Sequence, residues 1–253
     1  MSKKVDICVC VKDRQNVVKK TIDCILNQTF KDFRLLLCDG KSDDLTVSTL
    51  LDYQNKNDNV VCWQSEEKGY VNSHNFILSK TDAEYICFID SDDLIDEKKL
   101  AEQVKYLDEH PDVDVVSSSV ILPNKKILPN TFVELNNEQI TEALKKGIPM
   151  AAICHFESCM FRRKCLEKFT KEKYFFDEYE TGRCGEGFLY ALHFFGYKFA
   201  NIISTLYIYT KGVVKDSMTN TIIPEMANLM DAQTYDMKRT AIMEMFDNYN
   251  QTK

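Results

Sequence analysis

The stretch Glu84-Tyr85-Ile86-Cys87-Phe88-Ile89-Asp90-Ser91-Asp92-Asp93 sets an apolar run directly against three acids in four residues. The run is short, aromatic and β-branched, and charge bounds it on both sides, which predicts a buried strand. Three carboxylates at the end of one strand exceed what capping the next helix requires. Working back toward the N-terminus, the same arrangement recurs. Residues 5–11 form an apolar run that ends at Lys12-Asp13-Arg14, and residues 33–38 form another that runs into Asp39-Gly40-Lys41-Ser42. Between these runs Val17, Val18, Ile22, Ile25 and Leu26 recur at helical spacing. Helices are further expected at 45–54, 70–79 and 96–110, and strands at 60–63 and 113–117. Strands alternating with helices predict βαβ units and an α/β fold with a mostly parallel central sheet flanked by helices.

Beyond residue 120 the alternation loosens. Pro123, Pro129 and Pro149 punctuate the chain. A helix is expected at 139–146, a strand at 153–161 followed by a helix from 164, a helix at 186–195 and a strand at 202–209. The tail, 224–249, has a helical pattern. With no internal repeat and no linker, the 253 residues read as one domain. Residues 1–120 are its ligand-binding half, 121–220 a more variable half, and 221–253 a C-terminal helical tail.

Composition narrows the classes. A chain that is 44% hydrophobic and 28% charged is globular, and a net charge of -7 gives no support to nucleic-acid binding. The ten cysteines sit mostly within apolar runs, without a Cys-x-x-Cys pair, so they read as core thiols in a reducing compartment. The apolar run 7–11 is too short for a signal peptide or a membrane span. The expected location is cytoplasmic, at most peripheral to a membrane.

In a parallel sheet, ligands gather at the carboxyl ends of the strands. Asp13, Asp39 and the group Asp90, Asp92 and Asp93 each follow a predicted strand, so one rim should collect them. Such carboxylates repel one another unless a cation or donor groups intervene. Asp-x-Asp at a strand end suits a divalent metal, Mn2+ or Mg2+, that also holds phosphate oxygens. An EF-hand, a P-loop and a dinucleotide glycine fingerprint are all absent from the sequence. Helix capping remains a competing account of Asp13.

The order and spacing of several blocks resemble the opening of the family 2 glycosyltransferases, which have the GT-A fold. These blocks are Val5-Asp6-Ile7-Cys8-Val9-Cys10-Val11, Thr21 to Phe33, Cys38-Asp39-Gly40-Lys41-Ser42-Asp43 and Glu84 to Asp93. A fainter likeness continues through Met160-Phe161-Arg162-Arg163, Phe176-Asp177-Glu178 and Gly185-Glu186-Gly187. The resemblance implies a nucleotide-sugar donor, with UDP favoured. Asp39 would meet the base, Cys10, Val11 and Asp13 would wrap base and ribose, and Asp90, Ser91 and Asp92 would serve the metal and diphosphate. It implies Glu186 as the base of an inverting transfer to a glycan or lipid-linked hydroxyl. A helix-start acid is the other account of Glu186.

The sequence also departs from that pattern. Cys38 stands where a first acid is common, His74 where arginine is usual, and Gly187 where a second acid is familiar. His193 is expected to pack within its aromatic helix, and His155 to be buried or to meet acceptor or phosphate. Arg162, Arg163, Arg183, Lys211 and Lys215 are candidates for phosphate, with solvated surface charge as the default. A nucleotidyltransferase and a non-catalytic sugar-nucleotide-binding subunit are the competing functions. The apolar residues of 222–246 suggest core packing, a homodimer or a peripheral membrane contact.

Overall fold

Alternation of side chains across a pleated strand puts one set of residues on each sheet face, and here both sets are apolar. In the computed structural model, which describes residues 3–128, 136–169, 174 and 184–210 with the single positions 237, 240 and 244, four strands pair in parallel. They are β1 (Val5–Val11), β2 (Phe33–Asp39), β3 (Val60–Gln64) and β4 (Tyr85–Phe88), arranged β3-β2-β1-β4. The connections are α1 (Val18–Leu26), α2 (Thr46–Lys56) and α3 (Tyr70–Ser79). Then follow β5 (Leu94–Ile95), α4 (Lys99–Glu109), β6 (Val115–Ile121), β7 (Ile127–Leu128), α5 (Asn137–Lys145) and α6 (Met150–Ile153). Last come β8 (Met160–Arg162), α7 (Cys184–Phe194) and β9 (Phe199–Ile208).

Beyond β4 the sheet continues β8-β6-β9-β5, with β7 beside β6. β8 runs antiparallel to both β4 and β6, β9 is parallel to β6, and β5 is antiparallel to β9. The expected α/β architecture is therefore present, with short antiparallel insertions in a sheet whose central pairs are parallel.

Two apolar layers cover the faces. Cys8, Leu36, Ile86 and Phe88 face α3, α5, α6 and α7. Val5, Ile7, Val9, Leu35 and Cys87 face α1, α2 and α4. Burial on both faces explains why β1 and β2 read as continuous apolar runs rather than alternating ones. At the amino end of β1 the fully buried Asp6 takes two hydrogen bonds from Arg34, each 2.9 Å. Cys8, Cys38, Cys87, Cys154, Cys159 and Cys165 are buried, whereas Cys10, Cys24 and Cys62 are half-buried.

Three local expectations are corrected. The strand expected over 153–161 is confined to β8. Before it lie α6 and a 3-10 turn, Phe156–Ser158. Ser158 is the reason: its hydroxyl bonds the His155 carbonyl at 2.8 Å and the Ser118 carbonyl at 3.1 Å, which draws the backbone out of an extended ladder. The segment expected as a helix from 164 is a 3-10 turn, Arg163–Leu166. The helix expected from 96 begins at Lys99, because the Asp96 side chain accepts from the Lys98 amide at 2.9 Å. Apart from the three single positions, which are helical, the tail lies outside the described residues. Among the described residues no helix is long and apolar enough to cross a membrane.

Candidate active site

The first rim element is the turn after β1. Asp13 adopts φ 52, a left-handed conformation that acidic side chains tolerate better than most. Its amide donates to Ser42 Oγ at 2.9 Å, and its Oδ1 accepts from the Asp43 amide at 2.8 Å. The Val11 carbonyl takes the Gly40 amide at 2.7 Å. A side chain on Gly40 would press on Ser73 Oγ at 3.3 Å and on that same carbonyl at 3.4 Å, so glycine permits the close approach. The ends of β1 and β2 are thus laced into one ledge. Cys10, half-buried, and Val11, buried, lie at its floor opposite Cys38 and Asp39. Asp13 spends part of its carboxylate on this lacing.

Asp39 is fully buried at the end of β2. Its Oδ2 accepts from the Ser42 amide at 3.0 Å and from Gln64 Nε2 at 3.1 Å, while among the described residues its Oδ1 has no partner. A buried carboxylate oxygen without a donor is costly, and an incoming N–H donor would supply what it lacks.

After β4 the acids converge. Oxygens of Asp90, Asp92 and Asp93 lie within 4.8 Å of one another. Their roles divide. Both oxygens of Asp93 are taken, Oδ2 by the Tyr207 hydroxyl at 2.9 Å and Oδ1 by the Thr210 amide at 2.7 Å. Burial pushes the Asp93 carboxyl up to about 7; the Asp92 and Glu157 charges add to this and the donated hydrogen bonds oppose it. Asp90 and Asp92 are half-buried, and Asp92 meets Arg14 Nε at 3.8 Å. Ser91 is buried, and its carbonyl accepts from Thr21 at 3.1 Å. The donor set fits a hard divalent cation: oxygen ligands from Asp90 and Asp92, with Asp93 holding the strand behind them.

Glu186 lies half-buried in the first turn of α7. A Cβ on Gly185 would come within 2.4 Å of the Phe156 ring, so only glycine lets the helix start sit there. Phe156 in turn packs on Phe88, with ring centroids 5.5 Å apart, at the end of β4. This stack brings the start of α7 to the acidic rim.

Other candidates fall elsewhere. Arg162 pairs in register with Tyr85, the first residue of β4, and so belongs to the opposite rim. It donates to the Val113 carbonyl at 2.7 Å and the Leu107 carbonyl at 2.6 Å, and Arg163 donates to the Thr81 carbonyl at 2.5 Å. Neither faces the acids. Burial lowers His74 to about 4, so it is neutral, stacked on Phe88 at 5.1 Å. His155 is buried beside the turn Phe156–Ser158. His193 is buried and meets Thr141 at 3.2 Å, a packing role as expected. Arg183, Lys211 and Lys215 lie outside the described residues. Arg14, Gln64, Tyr207, Tyr209 and Glu157 are rim residues that no sequence motif marked.

The sequence profile of glycosyl transferase family 2 matches residues 6–170, well over half of the chain. The chain belongs to this family. Among curated relatives, an uncharacterized glycosyltransferase of Methanocaldococcus jannaschii is 29% identical over 157 residues, covering 61% of this chain and 53% of that protein. The GalNAc(5)-diNAcBac-PP-undecaprenol beta-1,3-glucosyltransferase of Campylobacter jejuni is 26% identical over 175 residues, covering 68% and 56%. The chain spans about half or less of the length of the first curated relatives it matches. Among solved structures, Staphylococcus aureus TarS 1–349 with UDP-GlcNAc superposes with a TM-score of 0.68 at 19% identity, covering 87% of this chain and 62% of that one. A mannosyltransferase of Pyrobaculum calidifontis with GDP-Man and Mn2+ gives 0.61 at 18% identity, covering 87% and 60%. The likeness establishes the GT-A-type fold.

Proposed function

We propose that this family 2 protein is a metal-dependent inverting glycosyltransferase that moves a sugar from a nucleotide-diphosphate donor, UDP-linked by preference, to a hydroxyl of a glycan or lipid-linked acceptor. The observation that carries this is the unpartnered Asp39 Oδ1 on the same rim as the gathered oxygens of Asp90 and Asp92. In this reading Asp39 would recognise the base and Asp90 with Asp92 would bind the cation, on either side of β1, a layout that suits a nucleoside diphosphate.

A bound divalent cation would neutralise charge on the departing diphosphate. The chain's own residues do the remaining work. Asp39 accepts the ring N–H of a uracil edge, and a carboxylate offers that edge no donor. The ledge of Cys10, Val11 and Asp13 backs the base and ribose. Glu186 takes the proton of the acceptor hydroxyl as its oxygen bonds to the anomeric carbon, and the bond from that carbon to the diphosphate oxygen breaks with its electron pair. Residues 1–120 would bind the donor and 121–220 the acceptor.

The TarS complex with UDP-GlcNAc and the mannosyltransferase complex with GDP-Man and Mn2+ share the fold and support a nucleotide-sugar donor with a metal. Product analysis tests the reading. Incubation with UDP-sugars and GDP-mannose in Mn2+ or Mg2+ should release a nucleoside diphosphate. Release of pyrophosphate from a nucleoside triphosphate would identify a nucleotidyltransferase instead, and binding without turnover a non-catalytic subunit.

A further inference from the structure

The turn Phe156–Ser158 leads into β8, whose Met160 pairs antiparallel with Cys87. The residues before Met160 therefore extend past Phe88 on the carboxyl rim of β4. Read across the sheet, that rim carries Asp39 on β2, Val11 on β1, Asp90 and Asp92 after β4, and then this turn. A nucleotide-sugar has the same linear order: base, ribose, diphosphate, sugar. With the base at Asp39 and the diphosphate at Asp90 and Asp92, the sugar continues toward the turn.

Glu157 is the acid on it. Its Oε2 accepts from the Tyr209 hydroxyl at 2.7 Å, and among the described residues it makes no other hydrogen bond or ion pair. It is half-buried. Tyr209 stands edge-on to Tyr207, ring centroids 5.1 Å apart, and Tyr207 holds Asp93, so the acid is tied to the metal-side cluster through two tyrosines.

The turn is held from beneath by an unusual arrangement. Lys99, fully buried, donates to the Ser158 carbonyl at 2.7 Å and to Gln103 Oε1 at 2.6 Å. Gln103 Nε2 donates to the same carbonyl at 2.7 Å, and the Ser158 hydroxyl meets Ser117 Oγ at 2.8 Å. Burying an ammonium among neutral acceptors is unfavourable. Here it fixes the residue next to Glu157, the kind of support that a ligand-contacting side chain needs to be held in place.

We infer that Glu157 is a sugar-recognition residue, its Oε1 accepting a hydrogen bond from a hydroxyl of the donor's sugar while Tyr209 holds Oε2. This rests on the nucleotide-sugar reading above. A carboxylate accepts and does not donate, so Glu157 suits a neutral hydroxylated sugar and repels an acidic one.

The test is calorimetry in Mn2+ with UDP, UDP-glucose, UDP-galactose, UDP-N-acetylglucosamine, UDP-glucuronate, GDP and GDP-mannose. The wild type, Glu157→Ala, Glu157→Gln and Tyr209→Phe are compared, with urea unfolding of each to establish folding. For the neutral nucleotide-sugar that the wild type binds, Glu157→Ala should weaken binding about tenfold or more, the scale of a hydrogen bond to a charged group. Its affinity for the free nucleoside diphosphate should not change. Tyr209→Phe should move affinity in the same direction by less. Glu157→Gln should narrow the discrimination against UDP-glucuronate. Equal losses for nucleotide and nucleotide-sugar, or no loss for either, overturn the inference. A wild-type protein that binds none of these ligands refutes the donor reading itself, a separate result.

Discussion

The Tyr207 hydroxyl donates to Asp93 Oδ2 at 2.9 Å while it accepts from the Asp90 amide at 3.3 Å. One phenol, buried in β9, therefore sets both the acid that braces the rim and the backbone of Asp90, an acid of the proposed cation site. Tyr207→Phe deletes both contacts without changing the ring. Loss of about 1–3 kcal/mol is expected, because a buried carboxylate loses a donor. Urea unfolding at pH 7.5 measures it, and an unchanged midpoint would show that the hydroxyl contributes nothing.

In the proposed reading Asp92 and Asp39 address the two ends of the donor. With Asp92→Ala, UDP affinity in Mn2+ should fall to the value that the wild type shows in excess chelator. Tight binding retained in both conditions removes Asp92 from the cation site.

Asp39→Asn separates base recognition from burial. The Ser42 amide and Gln64 Nε2 both donate to Oδ2, so the asparagine oxygen must take that place and its NH2 must face the base. Two donors then oppose each other, and UDP affinity should fall about tenfold or more. In competition with the wild type, UDP should exceed GDP and ADP; a clear win for GDP would reassign the donor.

Glu186→Gln keeps the shape and removes the proton acceptor. Donor affinity should persist while turnover falls by about two or more orders of magnitude. Near-normal turnover would make Glu186 a helix-start acid only.

Lys99 supplies a pH signature. Burial lowers its ammonium to about 8 from the ordinary 10.5. Between these values the unfolded chain holds a proton that the folded chain has released, so this group's contribution to stability rises as pH rises from about 8 to 10.5. The gain is on the order of 3 kcal/mol. Buried thiols such as Cys8, Cys87 and Cys159, pushed up by burial, act in the opposite sense above pH 9. The stability difference between wild type and Lys99→Met cancels that background, and it should shift in favour of the wild type across this window. A flat difference would mean that Lys99 titrates normally.

The rim was legible where a signal is local. Apolar runs ending in acids placed Asp39, Asp90 and Asp92 at strand ends, and the structure puts them on one edge, with Cys10, Val11 and Asp13 between. What partners them was not legible. Tyr207 reaches Asp93 across 114 residues, and no periodicity encodes such a pair. The turn at Glu157 was hidden for a different reason. Ile153, Cys154, Phe156, Cys159, Met160 and Phe161 make the segment apolar enough to read as one strand, and the Ser158 hydroxyl bonds that break it are tertiary. Arg162 and Arg163 show the converse: charge in sequence says nothing about which edge it serves, and register with Tyr85 decides it.

The distribution of thiols gives the molecule its own reporter of opening. Among the described side chains six cysteines are buried in the two layers, and Cys10, Cys24 and Cys62 are only partly covered. A slow-reacting alkylating reagent can reach the buried six only through excursions that part the layers, so their labelling rates measure how often each layer separates. Cys10 lies on the floor where a nucleotide would rest, so its labelling should report occupancy rather than unfolding. Mass spectrometry of one alkylated sample thus resolves local coverage of the ledge and global opening of the fold on separate residues, without any introduced probe.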